Sequence, residues 1–163
     1  MAHMIDMSND RANIAYIGVE PWHGLGQRLM PGADIVTWQR EAGLDWTAMK
    51  SPVEYRNGEM HVFNGKSVLF RSDTGAPLSV VGDDYNEVQP IEIIGFFSKL
   101  AEIGGFDLET AGCLSGGRRI WALAKVSDGA DIVNRDRVRP YILLATSYDG
   151  TMATVAKFTA VRV

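Results

Sequence analysis

Between Gln89 and Gly105 the apolar residues Ile91, Ile94, Phe97 and Ala101 recur at helical spacing, and Phe96 and Leu100 widen the stripe they form. Pro90 suits a first helical position, where its missing N–H would have no partner, and Gly104-Gly105 tolerates the left-handed backbone that ends a helix. The pattern predicts a helix over 90–104, one face of which must be covered. On both sides of it the period changes from helical to alternating, in short β-branched segments separated by Asn-Gly and Asp-Gly pairs. The predicted fold class is therefore α+β: an antiparallel meander and hairpins with one main amphipathic helix packed across the sheet, plus a short N-terminal helix.

The meander is read from Val53 to Val81. Residues 53–56 and 60–63 are joined around Asn57-Gly58, whose residues accept the positive φ of a tight hairpin turn. Asn64-Gly65 repeats the signal and predicts a second turn before 67–71, and Ser72-Asp73-Thr74-Gly75 turns the chain into 78–81. After the helix, 111–114 and 119–126 form a hairpin about Ser115-Gly116-Gly117-Arg118, followed by strands over 137–147 and 151–163. Further upstream, Asp34 caps the short helix, with Ile35, Trp38 and Ala42 on one side and Gly43 past its end. Residues 1–4 read as a cloning remnant, 5–52 as an N-terminal extension carrying the short helix, and 53–163 as the α+β core. The last strand is still in rhythm at Val163, so the core is expected to be truncated at its C-terminus.

At 163 residues and 46% hydrophobic content, the chain suffices for one ordinary core. No apolar run approaches the roughly 18–20 residues of a membrane span, and no basic region precedes an apolar signal core, so a cytoplasmic protein with no membrane partner is expected. Cys113 is the single cysteine, which excludes an intramolecular disulfide and a cysteine zinc cage; it reads as a small buried thiol in a strand. The net charge of −4 divides unevenly, residues 1–110 carrying −8 and residues 111–163 carrying +4. The acidic whole argues against a strong non-specific nucleic-acid binder, while the split leaves a local basic face.

Candidate chemistry is sparse. The loop Trp22-His23-Gly24-Leu25-Gly26 describes a tight irregular turn with large rings beside it, and no second ligand at metal spacing accompanies His23. Asp83, Asp84 and Glu87 lack the alternating ligands and glycine of a calcium loop and read as a solvated turn. The glycines of Ser115-Gly116-Gly117-Arg118-Arg119 precede a strand rather than the helix of a phosphate loop. No catalytic residue, metal site or cofactor is assigned. What remains is strand alternation, which gathers Arg119, Trp121 and Lys125 beside Arg137, Arg139 and Tyr141, with Arg118 at the edge.

Trp22-His23-Gly24-Leu25-Gly26, the run Val81-Gly82-Asp83-Asp84-Tyr85-Asn86-Glu87-Val88-Gln89, and Gly116-Gly117-Arg118 with Trp121 resemble the phage- and plasmid-like proteins grouped in a family of unknown function. The resemblance runs from about Gly18 to Val163. It implies a mobile-element setting and a parent chain longer than this one, and it carries no catalytic residues; Trp22, His23, Gly24, Gly26 and Tyr85 are motif positions without an assigned role. The expected function is that of an accessory protein, a single-stranded nucleic-acid-binding, annealing-like module that uses Arg118, Arg119, Trp121, Lys125, Arg137, Arg139 and Tyr141 on single-stranded DNA. The alternative is a non-catalytic module that binds a host protein or counters host defence. Self-association into a homo-oligomer is compatible with either.

Overall fold

The computed structural model describes residues 4–126, 130–132 and 136–162. It is an α+β structure, mostly sheet, with strands β1 (Ile14–Tyr16), β2 (Gln27–Arg28), β3 (Ala48–Asn57), β4 (Glu59–Arg71), β5 (Pro77–Gly82), β6 (Asp107–Leu114), β7 (Arg119–Lys125), β8 (Ala130–Ile132), β9 (Asp136–Ser147) and β10 (Val155–Arg162). The helices are α1 (Ile35–Glu41) and α2 (Pro90–Ile103). The strands form two sheets: a larger one in the order β10-β9-β7-β6-β1-β2, with β8 beside β9, and a smaller one in the order β3-β4-β5. The meander β3–β5 thus forms a sheet of its own, whereas β1 and β2, which also precede α2, join the strands that follow it. The segment 5–52 supplies β1, β2, α1 and the start of β3, and β1 pairs antiparallel with β6 inside the larger sheet.

Helix α2 lies against β6 and β7 because those strands present small side chains to it. Ala111, Cys113, Ala122 and Ala124 are buried, and Ile93, Ile94 and Phe97 pack over them. The buried stripe is rotated from the expected one: Ile93 takes the place of Ile91, which is 37% exposed, and Ala101 is exposed. Both stripes have helical spacing. The choice is made at the helix N-terminus, where the Gln89 side chain accepts from Ala48 N–H (2.8 Å) and donates to Ala48 C=O (3.1 Å), pinning the first turn to β3. Glu92 accepts from Gln89 N–H at 2.6 Å, half of a capping box. At the other end Gly104, with φ of 94°, donates to Leu100 and Ala101 carbonyls. The cap on α1 is as read, Asp34 Oδ1 accepting from Thr37 N–H at 2.7 Å.

One turn signal resolves differently. Asn64-Gly65 does not separate two strands; β4 runs through it, and the register against β3 shifts between Pro52 and Val53. Pro52 has no N–H for the ladder, and Gly65, at φ of 80°, absorbs the extra residues as a bulge. The two sheets are held together by Tyr148, fully buried against Trp46 with ring centroids 5.6 Å apart, and by Ser79, whose hydroxyl donates to the Tyr148 carbonyl.

Candidate functional site

An ionic cluster lies buried between the two sheets. Arg71, at the end of β4 and 1% exposed, donates from Nη1 to Asp6 Oδ2 (2.8 Å) and from Nη2 and Nε to Asp73 (2.6 and 2.9 Å), with its guanidinium 4.7 Å above the Trp46 ring. Asp6 also accepts from Ser8 Oγ (2.6 Å), Asn13 Nδ2 (2.8 Å) and the Cys113 thiol (3.4 Å). Burial opposes the charge on Asp6, but these donors together outweigh it and hold the carboxyl below its ordinary range; Asp73 is lowered against burial by Arg71. Burial, with Asp6 beside it, pushes the Cys113 thiol well up, so it is protonated and inert at neutral pH. Among the described residues no buried side-chain nitrogen or oxygen of this cluster lacks a partner, and the cluster clamps the two sheets together.

A pH dependence follows. Groups whose folded pKa is depressed contribute stability that is present above the unfolded value, 3.8 for Asp, and is lost as pH falls through the folded value. Thermal unfolding at stepped pH should therefore show a flat midpoint above about pH 5 and a fall below about pH 4. Asp6→Asn should be less stable at neutral pH and show a shallower acid fall. An unchanged acid limb in that variant would remove Asp6 from this account.

The motif glycines and the 81–89 run serve the same frame. A Cβ on Gly117 would lie 3.0 Å from Arg71 Nη1 and 3.1 Å from the Trp46 ring, so the Gly-Gly turn admits the clamp. A Cβ on Gly26 would meet Ile14 at 2.7 Å, where β2 runs parallel to β1. In the 81–89 run, Asp83 accepts from Ser67 Oγ, Glu87 pairs with Lys50 at 3.0 Å, Tyr85 O–H donates to Ser147 C=O at 3.2 Å, and Tyr148 O–H donates to Val88 C=O at 2.5 Å. This run fastens β3 and β9 to the start of α2.

The face of the larger sheet turned away from α2 carries Arg119 and Trp121, and Lys125 and Arg139, at the end of the strands, also line a cavity beside α2. Along β7 burial alternates as the sequence suggests, with Arg119, Trp121, Leu123 and Lys125 half-buried on this side and Ile120, Ala122 and Ala124 in the core. Register places Lys125 opposite Tyr141, with Arg139 two residues before it on β9. Tyr141 is buried, and its O–H donates to Glu109 at 2.9 Å, so its ring is part of the sheet packing. Arg119 donates to Thr151 Oγ1 at 3.2 and 3.1 Å, which fixes it beside the β9–β10 turn, and Arg118 is exposed just ahead of β7. The side chain of Arg137 lies outside the described residues.

The loop that carries Trp22 folds over the same face. Leu25 packs on Ile5, Ala12 and Ile14 together with Trp121, His23 Nδ1 accepts from Leu25 N–H at 3.1 Å, and Gly24 N–H donates to Pro21 C=O. Trp22, 84% exposed, stands edge-on to His23 with centroids 5.4 Å apart. Between loop and sheet runs a groove of about 470 Å³ lined by Trp22, His23, Thr110, Trp121 and Leu123. Two motifs distant in sequence thus share one groove. The strand pattern had no means of showing it, because loop direction depends on the packing of Leu25. A second cavity of about 510 Å³ lies between α1, α2 and the start of β6, with Lys125 and Arg139 among its lining.

Fold and face define a sheet protein with an aromatic groove and cationic strand positions. Residues 77–163 match the family described as Domain of unknown function (DUF932), which is more than half of the chain, and the protein belongs to that family. The match includes Tyr85, Gly116-Gly117-Arg118 and Trp121. No curated protein and no solved structure matches the chain. No described helix is long and apolar enough to cross a membrane.

Proposed function

We propose that this protein binds single-stranded nucleic acid on the outer face of its larger sheet, as an accessory module of a phage or plasmid with an annealing-like role. The observation that carries the reading is the groove shared by Trp22 and Trp121, the latter on the strand that also bears Arg119 and Lys125. Side chains two apart on one strand stand about 6.6 Å from each other. Rings and cations so spaced along a strand suit an extended chain whose bases stack while its phosphates are neutralised. Tyr141, buried and bonded to Glu109, acts by positioning β9 rather than by stacking. Glu109 and Asp107 beside Lys125 moderate the positive charge, which fits selective rather than indiscriminate binding.

The test is fluorescence anisotropy of a labelled oligothymidylate over a series of salt concentrations. Affinity should fall as salt rises, by about 0.7 in the log–log slope for each neutralised phosphate. Arg119→Gln and Lys125→Gln should each flatten that slope, whereas Trp22→Ala should cost about 1–3 kcal/mol with the slope unchanged. No binding at low salt would overturn the proposal and leave a protein-interaction module as the reading.

A further inference from the structure

The outer halves of β3 and β4 leave the body of the protein as a two-stranded arm. Beyond Lys50 every residue of β3 is exposed except half-buried Val53, and β4 is exposed from Glu59 to Lys66. Register puts Val53 opposite Phe63 and Tyr55 opposite His61 on one face, and Glu54 opposite Val62 and Arg56 opposite Met60 on the other. Tyr55, Met60, Val62 and Phe63 are each at least half exposed, and the Tyr55 and His61 rings stack at 5.3 Å with no cover over them. Two strands alone are marginal in water, and a long apolar edge invites a further strand. The inner part of the β3 edge is occupied, by Gln89 at Ala48 and by Tyr85 and Glu87 at Lys50, so the open edge begins at Ser51.

We propose that this arm pairs with the arm of a second copy of the chain, β3 against β3, antiparallel about a two-fold axis through Tyr55. The argument is the order of charges. In that register Glu54 of one copy falls opposite Arg56 of the other, and by symmetry the contact is made twice, while Tyr55 meets its own counterpart. Opposite charges directly across an antiparallel pair stabilise it and like charges oppose it. The product is a four-stranded ribbon with Val53, Tyr55 and Phe63 of both copies on one face. The inference is independent of nucleic acid, and its test contains none.

Sedimentation velocity of the protein at rising concentration reads the dimer directly. Arg56→Glu and Glu54→Arg each set like charges opposite one another at two points and should raise the dimer dissociation constant by about tenfold. The double variant Glu54→Arg/Arg56→Glu restores both attractions and should dimerise as the unaltered protein does. Both positions are exposed, so the fold, followed by circular dichroism, should be unaffected. A monomer at every concentration, or a charge-exchanged variant as weak as the single ones, would overturn the proposal.

Discussion

Arg71→Met is expected to lower the free energy of unfolding by about 3–5 kcal/mol, the range for breaking a buried ion pair from one side. The methionine fills much of the volume but leaves Asp6, 7% exposed, without its cation. Ser8, Asn13 and Cys113 still donate to it, so the carboxylate is solvated in part, yet nothing neutralises it. Contact with the Trp46 ring is lost as well. The pH dependence supplies a second reading of the same variant. With Arg71 gone one of the groups that depress Asp6 is lost while burial remains, so its folded pKa should rise and the fall of stability toward acid pH should be shallower than in the unaltered protein. Denaturant titration at two pH values measures both effects. A loss below about 1 kcal/mol with no change in pH dependence would mean that the clamp contributes nothing.

Phe97→Ala should cost a comparable amount, about 3–5 kcal/mol, through lost burial and the cavity it leaves. Phe97 is 2% exposed and packs, with Ile93 and Ile94, over a floor of alanines too short to fill the vacated space. Ile91→Ala is the matched comparison. Ile91 belongs to the stripe read from spacing but is partly exposed in the fold, and its truncation should change stability by less than about 1 kcal/mol. Equal losses from the two variants, followed by denaturant titration, would show that α2 lies on the sheet in a different rotation.

The contrast between those two residues shows where local pattern stops being informative. Pro90 and Gly104 marked the bounds of α2 because capping depends on a few adjacent residues, and Asp34 marked the start of α1 for the same reason. The rotation of α2 depends on Gln89 reaching Ala48, 41 positions away, which no local period carries. Asn57-Gly58 gave a hairpin, but the same dipeptide type at Asn64-Gly65 gave a bulge, because Pro52 lay opposite and could not donate. The alternation along β7 was legible and placed Arg119, Trp121 and Lys125 on one side. Burial of Tyr141 was not, since it follows from Glu109 at a register shift in β6. The clamp was least legible of all: Asp6 and Arg71 are 65 positions apart, and each alone looks like an ordinary surface charge.

The claim that the outer sheet face receives single strands is tested most directly by locating the contact. A photoreactive oligothymidylate, cross-linked to the protein at low salt and mapped by mass spectrometry of the digested complex, reports which side chains touch the bases. The four tryptophans divide the outcome cleanly, because Trp38 and Trp46 are buried while Trp22 and Trp121 line the groove. Cross-links at Trp22 and Trp121, suppressed by unlabelled oligothymidylate, are the predicted result. Cross-links confined to α1, α2 or the β3–β4 arm, or none at all, would contradict it.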